Sequence, residues 1–156
     1  MEKVRKITCK KVITVQRYTT LRKILMTFKK FHTFPLVPVV EEENLLVGII
    51  SLKNLIDVFR PEEPEILKTI PFLDEKPIEI TEIELSPEMG QLIVAEDIMN
   101  TKFLAIDEDL PIKEAFRLMR LHNREQLPVI NKEKKFIGFV GLFDVVMSIF
   151  KSKGVV

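Results

Sequence analysis

Residues 11–59 and 102–150 carry one pattern twice, and that repetition constrains the fold more than any other property of the chain. Ile13-Thr14-Val15 matches Leu104-Ala105-Ile106, a short apolar strand. Leu21, Ile24, Leu25 and Phe28 match Ile112, Ala115, Phe116 and Met119; both sets have the i, i+3, i+4, i+7 spacing of one face of an amphipathic helix. Thr19 or Thr20 is placed to cap the first helix, and Asp109 with Pro111 marks the start of the second. Val37-Pro38-Val39-Val40 then matches Leu127-Pro128-Val129-Ile130, and a polar turn leads to Leu46-Val47-Gly48-Ile49-Ile50, the counterpart of Phe136-Ile137-Gly138-Phe139-Val140. These pairs predict a hairpin in each copy. Leu52, Leu55, Ile56 and Phe59 close the first unit as Leu142, Val145, Val146 and Ile149 close the second, again at helical spacing. The offset is 91 residues at the first strand and 90 from the proline onward. Each unit reads β-α-β-β-α, and a unit of about fifty residues buries too little surface to stand alone. The expectation is therefore an α/β (α+β) module of two pseudo-symmetric repeats packed sheet to sheet.

Composition narrows the class. Of the 156 residues 46% are hydrophobic, too many for a disordered chain, and no apolar run approaches the length of a membrane span. The single cysteine, Cys9, excludes an internal disulfide and suits a reducing compartment, and the charged amino terminus does not resemble a signal peptide. A cytoplasmic location is expected. The near-equal totals of 24 Lys+Arg and 23 Asp+Glu conceal a segregation: residues 1–34 hold ten bases and one acid, and residues 60–93 hold nine acids, three bases and five prolines. The partition expected is a first repeat over residues 1–60, an acidic, proline-rich connector over 61–92 and a second repeat over 93–156. Within the connector, residues 63–70 read as a short helix and residues 78–85 alternate with the period of a strand. Its half-apolar, acidic character predicts packing against the basic amino-terminal face or a second subunit.

Three features, each present twice, resemble the cystathionine-β-synthase (CBS) domain family, whose members occur as tandem pairs called Bateman modules. They are the strand with its short entry segment (Val94-Ala95-Glu96-Asp97-Ile98-Met99-Asn100), the apolar-Pro-Val strand, and a Gly-h-h-(Ser/Thr)-x-x-Asp-h motif, where h is apolar. The motif stands as Gly48-Ile49-Ile50-Ser51-Leu52-Lys53-Asn54-Leu55 and as Gly138-Phe139-Val140-Gly141-Leu142-Phe143-Asp144-Val145.

The motif puts a strand end before a helix amino terminus, where unpaired N–H groups and the helix dipole favour an anion. The resemblance implies an adenosine-containing ligand in the cleft between the repeats and a division of labour: the hydroxyl residue meets phosphate, the acid meets the ribose hydroxyls, and apolar strand residues surround an adenine. Repeat 1 keeps the hydroxyl in Ser51 but has Asn54 in place of the acid; repeat 2 keeps Asp144 but has Gly141 in place of the hydroxyl. Asn54 can bond a diol without the strengthening of charge, and Gly141 lets a ligand come close to the backbone. Carried over residue by residue, the implied ligand-binding set is Asp144, Gly141, Leu142, Thr101, Leu104 and Pro128 in repeat 2 and Ser51, Asn54, Pro38 and Ile13 in repeat 1, with repeat 2 the better ribose site. Family members often place a cation just before the apolar-Pro-Val strand, where this chain has Pro35-Leu36 and Glu125-Gln126; Arg120, Arg124, Lys10 and Lys11 are the nearest substitutes. Of the ligands the resemblance implies (AMP, ADP, ATP or S-adenosylmethionine), that favours AMP or S-adenosylmethionine over the triphosphate.

The resemblance further implies a homodimer of two modules and an unidentified protein partner that receives the signal. Two rival readings stand beside it: a structural adaptor whose sites have decayed, and, ranked last, nucleic-acid binding through residues 3–30. His32 and His122 fall at matching helix ends without the Cys or acid neighbours of a metal site, and Cys9 aligns with Asn100 rather than with a nucleophile. No catalytic constellation or Gly-rich phosphate loop appears, so neither an enzyme nor a required cofactor is expected.

Overall fold

The computed structural model describes residues 2–29, 36–51, 55–56 and 85–156. The helix and strand expected in the connector lie, but for Leu85, outside these residues, as do Asn54, His32 and Leu52.

Repeat 1 contributes α1 (Leu21–Phe28), β1 (Val37–Glu41) and β2 (Leu45–Ile50). Two single-turn helices follow, α2 (Met89–Leu92) and α3 (Ala95–Ile98). Repeat 2 contributes β3 (Ile106–Asp107), α4 (Ile112–Leu121), β4 (Gln126–Ile130), β5 (Phe136–Gly141) and α5 (Leu142–Ser152). Thr20 caps α1, its hydroxyl oxygen accepting from the Lys23 N–H at 3.2 Å, and α1 buries Leu21, Ile24 and Phe28 while Leu25 stays at the edge of the face. The equivalent helix α4 buries Ile112, Ala115 and Met119. Both hairpins are antiparallel, and both slip register at the same place, between Val39 and Val40 and between Val129 and Ile130. The repeat therefore extends to the irregularities.

The first strand of each unit is shorter than expected. Ile13-Thr14-Val15 reduces to one parallel bridge, Val15 to Val39, and the strand expected at Leu104-Ala105-Ile106 begins only at Ile106, opposite Val129. Proline explains both truncations. Val15 donates to the Pro38 carbonyl at 3.0 Å and accepts from the Val40 N–H at 2.9 Å. The next rung back would need an N–H from Pro38, or from Pro128 in repeat 2, and proline has none. The ladder stops there, one residue pair short of Ile13 and Leu104.

Each repeat has its own core. One is built around Ile24, Val37, Val39 and Ile50, the other around Met119, Leu127, Val129 and Val140. A third cluster joins the repeats, with Val40, Leu46 and Ile49 from the first and Phe136 and Phe139 from the second; the two rings meet edge to face at 5.3 Å. A bridge from Leu45 to Lys135 ties the hairpin turns together, supported by a 2.6 Å bond from the Asn44 side-chain amide to the Phe136 carbonyl.

The entry segments are exchanged between these cores. Val4, fully buried, belongs to the core of repeat 2, whereas Ala95 and Ile98 belong to that of repeat 1. Cys9 trades both backbone bonds with Phe139, and Asn100 trades both with Ile49. Two glycines admit the crossings. A Cβ on Gly138 would overlap the carbonyl oxygen of Cys9, and one on Gly48 would lie 2.5 Å from Met99 Sδ.

Candidate functional site

The junction of β5 and α5 is built by local chemistry. Gly141 ends the strand in extended conformation and caps α5, and its N–H donates to Asp144 Oδ2 at 3.1 Å. One carboxylate oxygen thus holds a helix donor that would otherwise be orphaned. The Leu142 N–H donates to the Glu125 carbonyl at 2.8 Å, fixing the helix start against the approach to β4. Glu125, Gly141, Leu142, Phe143 and Val146 line a shallow, mostly apolar groove. Asp144 lines a second groove, between the amino-terminal turn and α5, whose walls include Lys6, Ile7, Ser148 and Lys151. Lys6 Nζ lies 2.8 Å from Glu2 Oε1 and holds the Glu2 carboxyl below the usual carboxylate range.

Of the residues expected in repeat 2, then, Gly141, Leu142 and Asp144 come together. Thr101 is exposed and Leu104 packs against the repeat core, and neither lines these grooves. Pro128 is buried in β4. In repeat 1 Ser51 follows β2 and its carbonyl accepts from the Leu55 N–H at 2.9 Å; Pro38 is fully buried and Ile13 is 45% exposed. Lys6 and Lys151 join Asp144 without any signal in the motif itself. Lys6 arrives because the amino-terminal segment docks on repeat 2, and Lys151 because it stands seven residues, two helical turns, beyond Asp144. His122 ends α4, its N–H bonded to the Leu118 carbonyl. A larger concavity lies elsewhere, between Thr14–Tyr18 and the β1–β2 turn; there Arg17 reaches Glu41 at 3.1 Å and Glu96 at 3.3 Å. Among the described residues no group of three or more His, Cys, Asp or Glu is placed to hold a metal ion, and no helix is long and apolar enough to cross a membrane.

Two repeats that share a helix followed by an antiparallel hairpin, the second ending in a strand–helix junction and each holding the other's entry segment, define a tandem-repeat module of the α+β class. The CBS domain family model matches residues 4–61 and 94–151, and the chain belongs to that family. It is 28% identical over 148 residues to a CBS domain-containing protein of Dictyostelium discoideum, covering 95% of this chain and 91% of that one. Protein MJ1225 of Methanocaldococcus jannaschii superposes with a TM-score of 0.73 at 25% identity, over 97% of this chain and 51% of the other. The CBS-pair protein CBSX2 of Arabidopsis thaliana, solved in complex with AMP, superposes with a TM-score of 0.69 at 20% identity, over 98% and 99% of the two chains.

Proposed function

We propose that this CBS pair is a non-catalytic regulatory module that binds an adenosine-containing ligand at the strand–helix junction of repeat 2. The observation that carries the reading is the state of Asp144. One of its oxygens is engaged by the Gly141 N–H, while the carboxylate still lines an open groove beside Lys6 and Lys151. A half-used carboxylate with cations nearby suits a ribose diol and an adjacent phosphate. The carbonyl of Leu104 lines neither groove, but Pro128 denies it a ladder partner, and on the family resemblance it is the acceptor assigned to an adenine amino group. AMP or S-adenosylmethionine fits better than ATP, because two lysines near the groove match few phosphates. The nucleotide bound by CBSX2 supports the same class of ligand. Repeat 1, with Asn54 for the acid, is the weaker site. The module acts as a homodimer and passes the change to a protein partner by differential affinity for two arrangements of its repeats.

Thermal unfolding with AMP, ADP, ATP and S-adenosylmethionine tests the reading. A ligand at 100 times its Kd adds about 2.7 kcal/mol to stability. Asp144→Ala weakens binding by about 1.5–3 kcal/mol, the worth of a charge-assisted bond. No shift with any of the four overturns the proposal. It would favour the adaptor reading, which has one observation of its own: Phe143, at the same junction, is 74% exposed. Nucleic-acid binding is disfavoured because Arg5 and Arg17 of the basic stretch are engaged in ion pairs within the chain.

A further inference from the structure

The two entry segments occupy equivalent places with opposite charge. Arg5 and Glu96 are counterparts in the repeat, as are Arg17 and Glu108. On repeat 2, the Arg5 guanidinium bonds Asp109 and stands 3.6 Å from Glu108; on repeat 1, Glu96 stands 3.3 Å from Arg17, which also bonds Glu41. The backbone bonds around them are the same in both places: Arg5 N–H to the Glu108 carbonyl and Glu96 N–H to that of Arg17, each at 2.9 Å. The backbone therefore cannot tell the segments apart, and the charges can. If each segment docked on its own repeat, Arg5 would face Arg17, and Glu96 would join Glu108 and Asp109. The buried anchors differ in the same sense, since repeat 2 encloses Val4 where repeat 1 encloses the smaller Ala95. Own-repeat docking would overfill one pocket and leave a void in the other.

We infer that the sign-reversed ion pairs, with the unequal anchors, specify the exchange: they make each entry segment the selective ligand of the opposite repeat. Single exposed pairs contribute little, but the choice is between an attractive and a repulsive set at both ends at once, which is how charge excludes wrong partners.

Thiol pairs report the docking directly. Lys3 bridges Pro111 in the structure, and own-repeat docking would set Lys3 opposite Thr20, the counterpart of Pro111. In a Cys9→Ser background, Lys3→Cys/Pro111→Cys reports the exchanged arrangement and Lys3→Cys/Thr20→Cys the other. The quantity read is the effective concentration of each pair in a glutathione redox buffer. With native charges the first pair closes within one chain and the second does not. Adding Arg5→Glu/Glu96→Arg lowers closure of the first pair about tenfold. Adding Arg17→Glu, Glu41→Arg, Glu108→Arg and Asp109→Arg as well, which reverses every partner, restores it. Should the two-site reversal prevent folding, the complete reversal still decides: recovery supports the code, and continued failure overturns it. Closure unaffected by the two-site reversal overturns it too.

Discussion

Gly48 and Gly138 occupy the same place in the repeat but tolerate a methyl group differently. At Gly138 the new Cβ meets backbone, the Cys9 carbonyl, which cannot yield without breaking the paired bonds to Phe139; at Gly48 it meets the Met99 side chain, which can rotate away. Gly138→Ala is expected to cost about 1–3 kcal/mol and Gly48→Ala less than about 1 kcal/mol, read by urea unfolding. Equal costs would refute the account. The glycines themselves were legible as part of a motif, but the reason for them was not, because the segment that crosses each one comes from the other end of the repeat pair. Asp144 shows the same limit. Its place near the helix start was readable from spacing, whereas its bond to the Gly141 N–H depends on how the strand end turns into the helix. Asp144→Asn preserves an acceptor for that N–H and is expected to keep the melting temperature near native, while Asp144→Ala loses about 1 kcal/mol even without ligand.

At the scale of elements, periodicity identified α1, α4 and both hairpins, and it overestimated the first strand of each repeat. The apolar strand signal at Ile13 and Leu104 is real, but ladder length is decided by donors on the neighbouring strand, and Pro38 and Pro128 supply none. Replacing Pro128 by Val provides the missing N–H at similar volume. The expected outcome is an added bond to the Leu104 carbonyl, seen as slow exchange of the new amide, together with a smaller stabilisation by AMP. Rapid exchange of that amide would show that the ladder stops for another reason. Helix α1 offers a simpler check, since Thr20→Ala removes its only capping hydroxyl and should cost about 1 kcal/mol in thermal unfolding.

For the molecule as a whole, the sequence established that there are two units and that they pack against each other. It could not say which entry segment serves which unit, because the copies offer the same backbone bonds to either. The difference is written in the signs of four side chains, Arg5, Arg17, Glu96 and Glu108, visible only once the geometry sets them opposite one another. Removing residues 1–9 is expected to loosen repeat 2, a hundred residues away, more than repeat 1, because Val4 leaves a fully buried place worth about 1.5–3 kcal/mol. Amide exchange should quicken in β3, β4 and β5 first; uniform loosening would contradict the assignment of Val4 to the second core. The exchange also bears on how such a chain can change over time. A copy lost, or an extra one gained, would strand a segment without its seat and a seat without its segment, so the heritable unit is the pair. Shuffling among proteins should move both repeats together or neither.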